Sequence, residues 1–228
     1  SSSSAASDVY KRQGLNTKTN KIGYVAAMGL DNSEVTGGID AFALGIYSVN
    51  PDAEVYVKVT NSWYDPKAEE EAARKLLDMN CDVIAQHCDT VYPQTLAQQK
   101  GVYSIGYNSD MSKEAPEACL CSVIWNWSAY YTSAVQSVID GTWDGSNYYG
   151  GMNENLVSIT PIADFAAAAT KEKVNMAKQQ ILSGKNGVFD GVIKTNTGAE
   201  VGTAGKTLED SVITGGINWY FKTVKVIE

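Results

Sequence analysis

The sequence is poor in the side chains that most catalysis and most phosphate recognition need. It holds one histidine, His87, and only two arginines, Arg12 and Arg74. Asp and Glu number 26 against 18 Lys and Arg, for a net charge of -8. A nucleic-acid partner is excluded on this ground, because a phosphate track requires clustered basic residues. No apolar run approaches the length of a bilayer span. The phosphate-cradling, dinucleotide-binding and nucleophile-elbow glycine patterns are all missing. Any histidine-based acid–base scheme must therefore pass through His87. Of the four cysteines, Cys81 and Cys88 are separated by six intervening residues and Cys119 and Cys121 by one. That is not zinc-knuckle spacing, so no metal centre is expected, and no cofactor motif is present. Buried free thiols are the reading; the even count selects no disulfide pairing.

The chain is nonetheless well supplied with a core. Of its 228 residues, 44% are apolar, enough for a full hydrophobic interior in one large domain or two small ones. Thirteen Tyr and five Trp against four Phe favour rings that both stack and hydrogen-bond, as binding surfaces do. Ser3 to Gln13 (SSAASDVYKRQ) matches, codon for codon, an in-frame translation of a transposase-type sequencing adapter. Residues 1–13 are accordingly read as an adapter artefact outside the fold, expected to pack against nothing. Without Asp8, Lys11 and Arg12 the remainder is one charge more negative. On this reading the natural N-terminus lies upstream.

From Lys21 onward short apolar runs alternate with helical periodicity. KIGYVAA (21–27), EVYVKVT (54–60), DVIAQ (82–86), VYSIG (102–106) and CLCSVI (119–124) read as strands. Between the first two, Val35, Ile39, Phe42, Ala43 and Ile46 recur at helical spacing, with Asp31 and Glu34 as a capping box. Asp65-Pro66 starts a second helix and Pro93 to Gln99 forms a third. Alternating βα units with nearly all-apolar strands define an α/β class with a parallel, doubly wound sheet. After Trp127 come a helix over 128–140, strand-like runs near 147–151 and 156–159, and a helix over 166–183. A hairpin follows, with strands at 187–194 and 199–203 around a turn at Asn196 to Gly198.

In such a sheet the carboxyl ends of the strands share one edge, where ligands bind. That edge reads Met28-Gly29, Asn61 to Asp65, Gln86 to Asp89, Tyr107 to Asp110 and Trp125 to Trp127. It gathers three Trp and two Tyr among amides and carboxylates, a set suited to a flat heteroaromatic ligand. His87 closes a strand there, as a ligand contact or as a plain strand-end residue. Asp65 is read as a helix cap alone.

The same stretches resemble the basic membrane protein (BMP) family of bacterial substrate-binding lipoproteins, which serve ABC importers and include purine-nucleoside receptors. The matching segments are TKTNKIGYVAAM (17–28), GGIDAFALGIYSVNPDAEVYV (37–57), TNSWYDPKAEEEAARKLLDMNCDVIAQHCD (60–89), GVYSIGYNSDM (101–111) and VIWNWSAYY (123–131). The resemblance implies a type I periplasmic-binding-protein fold, two α/β lobes closing on ligand about a hinge, with this chain holding mainly the C-terminal lobe. Residues 14–127 would form that lobe, 128–147 a helix belonging with the missing N-terminal lobe, and 148–228 the remainder and a C-terminal extension. The chain would cross between lobes near Asn16 to Asn20, Trp125 to Ser128 and Asp144 to Gly151.

Site residues carry over from the family one at a time. Its stacking aromatic falls on Trp63 and its ribose-binding acid on Asp110, with Asn108 replacing a further Asp. A ligand-proximal Gly falls around Cys88 or Asp89. Its ribose-contacting Lys falls on Trp125, which shifts the expected ligand from nucleoside toward free purine base. With His87 and Met28, these residues (Trp63, Asp89, Asn108, Asp110, Trp125) are the expected ligand-binding set. The resemblance thus implies an extracytoplasmic solute-binding protein, not an enzyme. Its partners would be a purine-type small molecule and ABC permease subunits, with a lipid anchor to the membrane in the full-length protein only. The alternatives are a ligand-sensing regulatory protein of the same fold and a nucleoside-processing α/β enzyme working through His87.

Overall fold

The structure, a computed structural model, describes residues 17–166, 168–184 and 187–228. Residues 1–13, the stretch read as adapter sequence, lie outside the described residues. The first unit runs β1 (Lys21–Ala26), α1 (Ser33–Tyr47), β2 (Glu54–Val59), α2 (Pro66–Asp78), β3 (Val83–His87), α3 (Tyr92–Gln99), β4 (Tyr103–Asn108) and β5 (Cys119–Trp125). Beyond it come α4 (Ser128–Ile139), β6 (Val157–Ile159), α5 (Ala168–Leu182), β7 (Asp190–Lys194), β8 (Glu200–Thr207), α6 (Asp210–Gly215) and β9 (Val224–Ile227). The five expected core strands are all present, each within two residues of its expected ends.

One sheet has the order β6-β5-β4-β3-β1-β2-β9, and β7 and β8 form a separate antiparallel pair. Neighbours from β9 through to β5 run parallel. Only β6 is antiparallel, pairing with β5. The central order 2-1-3-4-5 is a doubly wound one. Helices α2 and α3 pack together on one face, while α1 and α6 contact each other elsewhere. The connections leaving β1 and β3 thus diverge, and the crevice between their carboxyl ends is the topological switch point. Ala26 and His87 sit opposite each other there.

The central strands are apolar because both faces are covered. Ile22, Val25, Val55, Val57, Val83, Ile84 and Leu120 are wholly inaccessible, as are Ile39 and Phe42 of α1 and Leu76 of α2. Gly23 in β1 is required by close packing: a Cβ there would lie 2.8 Å from Ile84 Cδ1 and 3.0 Å from Leu76 Cβ. Helix α2 is capped as expected, Asp65 accepting from the Ala68 N–H at 3.0 Å. Glu69 reciprocates by accepting from the Asp65 N–H at 3.1 Å. The cap of α1 differs from expectation. Asn32, in extended conformation, accepts from the Val35 N–H at 3.1 Å, so it and not Asp31 is the capping residue.

Residues 147–151 do not form a strand. The Tyr148 side chain lies over Gly150, its hydroxyl 2.8 Å from where a Cβ would stand. Helix α4 buries none of its residues; Tyr131, Val135, Val138 and Ile139 are between 58% and 72% exposed. Among the described residues no helix is long and apolar enough to cross a membrane.

The C-terminal strap, α6 to β9, is fastened to α1 by one buried acid. Asp40 is fully inaccessible, and its Oδ1 accepts from the Phe221 N–H at 2.7 Å. Its second oxygen has no partner. Burial holds its carboxyl well above the usual carboxylate range. The folded chain therefore holds this proton at a pH where the unfolded chain has released it, and stability from this group falls as pH rises above the ordinary Asp value. Asp40→Asn, neutral at every pH, should exceed wild type in stability at pH 7 and lose that advantage toward pH 4 in denaturant titrations. Asp40→Ala, which leaves the Phe221 N–H without an acceptor, should destabilise by about 1–3 kcal/mol.

Candidate ligand-binding site

The switch-point crevice is built around one imidazole. His87, the last residue of β3, is buried, and its Nδ1 lies 3.2 Å from the hydroxyl of Tyr24 in β1. A glycine in α1 makes the space. A Cβ at Gly38 would sit 2.9 Å from His87 Cε1 and 3.0 Å from Nδ1. Three rings surround the imidazole: Tyr107 at 4.3 Å between centroids, Trp63 edge-on at 5.9 Å, and Tyr24 at 6.5 Å. Burial lowers the His87 pKa from 6.5 to about 4, so the ring is neutral at physiological pH.

From this centre the aromatics continue along the edge as an arc. Trp125 Nε1 donates to the Tyr107 hydroxyl at 3.4 Å. Burial raises the Tyr107 phenol well above its ordinary value, and the Trp125 contact opposes the shift only in part. Trp125 stacks on Trp127, 5.2 Å apart and 12° from parallel. Trp127 leans on Tyr131 at 5.9 Å, and Tyr131 meets Tyr130 at 5.6 Å. Edge-to-face and offset pairs of this kind fix ring planes beyond what area burial alone does.

The loops carrying these rings are held from beneath. Trp63 follows β2 on a turn begun by Asn61 at φ 58°, and its carbonyl accepts the Asp89 N–H at 2.9 Å. Buried Glu69 accepts from the backbone N–H and the hydroxyl of Thr90, clamping the β3–α3 loop to α2. Gln86 donates to the Thr90 carbonyl at 2.7 Å and contacts Gln94, whose own amide donates to the Ile105 carbonyl at 2.8 Å. Where Gly106 lies in β4, a Cβ would fall within 3 Å of Met111 Cβ and collide with Ser122 Oγ, the acceptor for the Met111 N–H.

The expected set divides in two. Trp63, His87 and Trp125 belong to the arc. Asp89 and Asn108 form a polar pair at its rim, Asn108 Nδ2 donating to Asp89 Oδ1 at 3.2 Å from a residue at φ 66°. Asp110 stands apart. It is exposed, and its Oδ1 accepts from both the N–H and the hydroxyl of Ser112, at 3.1 and 2.6 Å. Met28 is half-buried and packs on the core rather than joining the polar rim. Tyr24, Tyr107, Trp127 and Gly38 are further members that the expected set lacks. A glycine pair inside α1, Gly37-Gly38, was the available signal, since a helix interior tolerates glycine poorly unless something must approach closely.

The cysteines are free and buried as expected. Burial pushes Cys81 and Cys88 up to about 12, which leaves them as unreactive thiols. Among the described residues no cluster of His, Cys, Asp and Glu could hold a metal ion.

Residues 13–188 match the family model described as ABC transporter substrate-binding protein PnrA-like. The chain is 37% identical to a purine-binding protein of Brucella abortus over 198 residues, which is 87% of this chain and 55% of that protein. It is 36% identical over 178 residues, 78% of this chain, to a protein of Haloferax volcanii named as a candidate ABC transporter glucose-binding protein, of which it covers 45%. In structure it resembles an ABC transporter solute-binding protein from Conexibacter woesei, with a TM-score of 0.64 at 20% identity over 81% of this chain and 62% of that one. The chain belongs to the PnrA-like family of ABC transporter substrate-binding proteins, and its fold is that of the solute-binding proteins. It spans about half the length of the curated relatives it matches.

The depressed pKa of His87 has a measurable consequence. An unfolded chain protonates this ring below about 6.5, whereas the folded one resists until about 4. Stability from the neutral ring is complete above the unfolded value and is lost as pH falls through that window. The stability difference between wild type and His87→Gln should therefore shrink by up to about 3 kcal/mol from pH 7 to pH 4. Parallel urea titrations at several pH values read this directly.

Proposed function

We propose that this chain is the ligand-bearing C-terminal lobe of an extracytoplasmic solute-binding protein for an ABC importer, and that it takes a purine base against the aromatic arc. The observation that carries this reading is the run of ring contacts from Trp63 through His87, Tyr107 and Trp125 to Trp127 at the carboxyl edge. A neutral imidazole in its middle adds no charge to oppose an uncharged heterocycle. The purine named for the Brucella abortus relative supports the choice of ligand class. Ligand-dependent closure, not bond chemistry, is the mechanism: the closed state gains contacts that the open state lacks.

The wholly unburied α4 supports a second lobe. Residues 128–147 would pack their Val135, Val138 and Ile139 face on that lobe, supplied by sequence preceding this chain. In the full-length protein a lipid anchor would hold the pair at the membrane beside the permease subunits.

Trp63→Ala in the full-length protein should weaken purine binding. Loss of a base–aromatic stack is worth about 1–3 kcal/mol, or about ten- to a hundred-fold in Kd. Asp110→Asn retains an acceptor for the Ser112 turn, so the variant should stay folded. It should cost about 1–3 kcal/mol of binding if the carboxylate meets a buried donor of the ligand. With Trp125 in place of a cationic ribose contact, calorimetry should find adenine or hypoxanthine tighter than the matching nucleoside. Tighter nucleoside binding would reverse the base preference, and no binding of either class by folded protein would overturn the purine reading.

A further inference from the structure

Beyond the arc lies a cleft of about 680 Å³ between the start of α1, the end of β5, the 148–156 segment and α6. Small-molecule sites commonly occupy roughly 300–1,000 Å³. Four rings wall it: Trp125, Trp127, Tyr148 and Tyr149. The first two are stacked, and Tyr148 is itself stacked on Tyr130 at 4.6 Å, so three of the four rings are held by a neighbour. Trp125 belongs to both cleft and arc, which makes the two one continuous surface.

The charges around this surface have one sign. Glu34, Glu154 and Asp210 line the cleft, and among the described residues no lysine or arginine does. The rim of the arc adds Asp89. His87 contributes none, being neutral. Glu154 has a local task, its Oε2 accepting from the Gly151 N–H at 2.7 Å to hold the cleft wall. Glu34, in the first turn of α1, keeps more than a third of its surface exposed, with partial burial raising its carboxyl above the ordinary value, and it has no ion-pair partner among the described residues. An unpaired carboxylate of this kind attracts an incoming positive charge. Aromatic faces attract cations as well, through the negative face of the ring quadrupole.

We infer that the cleft is a charge-selective subsite for an organic cation: it admits a planar heteroaromatic group that is positively charged and refuses an anionic or phosphorylated one. This deepens the reading of the carboxyl edge as the ligand site and rests on it. It adds a rule that stacking alone does not impose, because every heteroaromatic ring has a face to stack.

Three compounds of nearly one shape separate charge from stacking: 1-methylnicotinamide (cationic), nicotinamide (neutral) and nicotinate (anionic). Calorimetry on the full-length protein at low ionic strength should rank them in that order, with about tenfold between the first two. The spread should narrow as salt screens the field. Glu34→Gln and, separately, Asp210→Asn should bring the cation's affinity toward that of nicotinamide while thermal midpoints hold. Glu71→Gln, an exposed carboxylate on α2 with 69% of its side chain accessible, should leave the ranking unchanged. A flat ranking, nicotinate binding as tightly as the cation, or an undiminished preference in both cleft variants would overturn the inference.

Adenine, adenosine and adenosine 5′-monophosphate keep this result apart from the ligand reading above. Adenine bound, with adenosine 5′-monophosphate at least about a hundredfold weaker than adenosine, upholds both. Equal binding of adenosine and its monophosphate overturns charge selection and leaves purine binding standing. No adenine binding, with the nicotinamide ranking intact, overturns the purine reading and leaves the charge-selective cleft.

Discussion

The imidazole of His87 occupies its place because α1 carries no side chain at Gly38. That absence lets a helix and a strand end approach until only one aromatic ring fits between them. Once seated against Tyr24, the ring becomes a floor on which Trp63, from the loop after β2, and Tyr107, from the end of β4, rest. Tyr107 then meets Trp125, which stacks on Trp127. A series of orientations across β1, β3, β4 and β5 thus descends from one close approach. The price is a polar group taken largely out of water, and the fold meets it by keeping the ring neutral and giving its Nδ1 a partner.

Much of this was legible in the sequence, and for identifiable reasons. KIGYVAA, DVIAQ and CLCSVI are apolar throughout because helices cover both faces of the strands they form, and that pattern has few other readings. Asp65-Pro66 announced a helix start that the structure reproduces with its reciprocal Glu69 contact. The carboxyl-edge residues followed from strand direction alone, since parallel strands must all end on one side. What stayed hidden depends on contacts distant in sequence. Tyr24 lies within a strand, where nothing local tells a core phenol from one that reaches a histidine 63 residues away. Asp110 read as a ligand group by its place in a motif, yet it also stabilises its own turn with Ser112. Val224 to Ile227 is four residues long, too short for periodicity to mark it as the strand that pairs with β2. Residues 147–151 carried a strand-like pattern with no neighbour to pair with.

On the reading proposed above, the two faces of the edge divide the labour of recognition. The arc offers ring surface held at fixed angles, which sorts ligands by shape and thickness. The cleft beside it offers carboxylates and further rings, which sort by charge. Because Trp125 stands in both, a ligand need not be large to feel the two filters together. The scaffold beneath the edge can persist while the groups along it decide what is retained.

The sheet also sets an order of assembly. Strand β2 has its outer edge closed by β9, a strand far downstream of it in sequence. The same late segment reaches Asp40 from 181 residues downstream. A ribosome delivering this chain from the N-terminus releases β1 to β5 well before the strand that completes them exists. In that interval the edge of β2 presents open backbone donors and acceptors, the kind of surface on which chains associate wrongly. Pairs so far apart in sequence also form slowly. An unfinished sheet kept extended until its last strand arrives is spared the period in which its open edge could find another copy of itself.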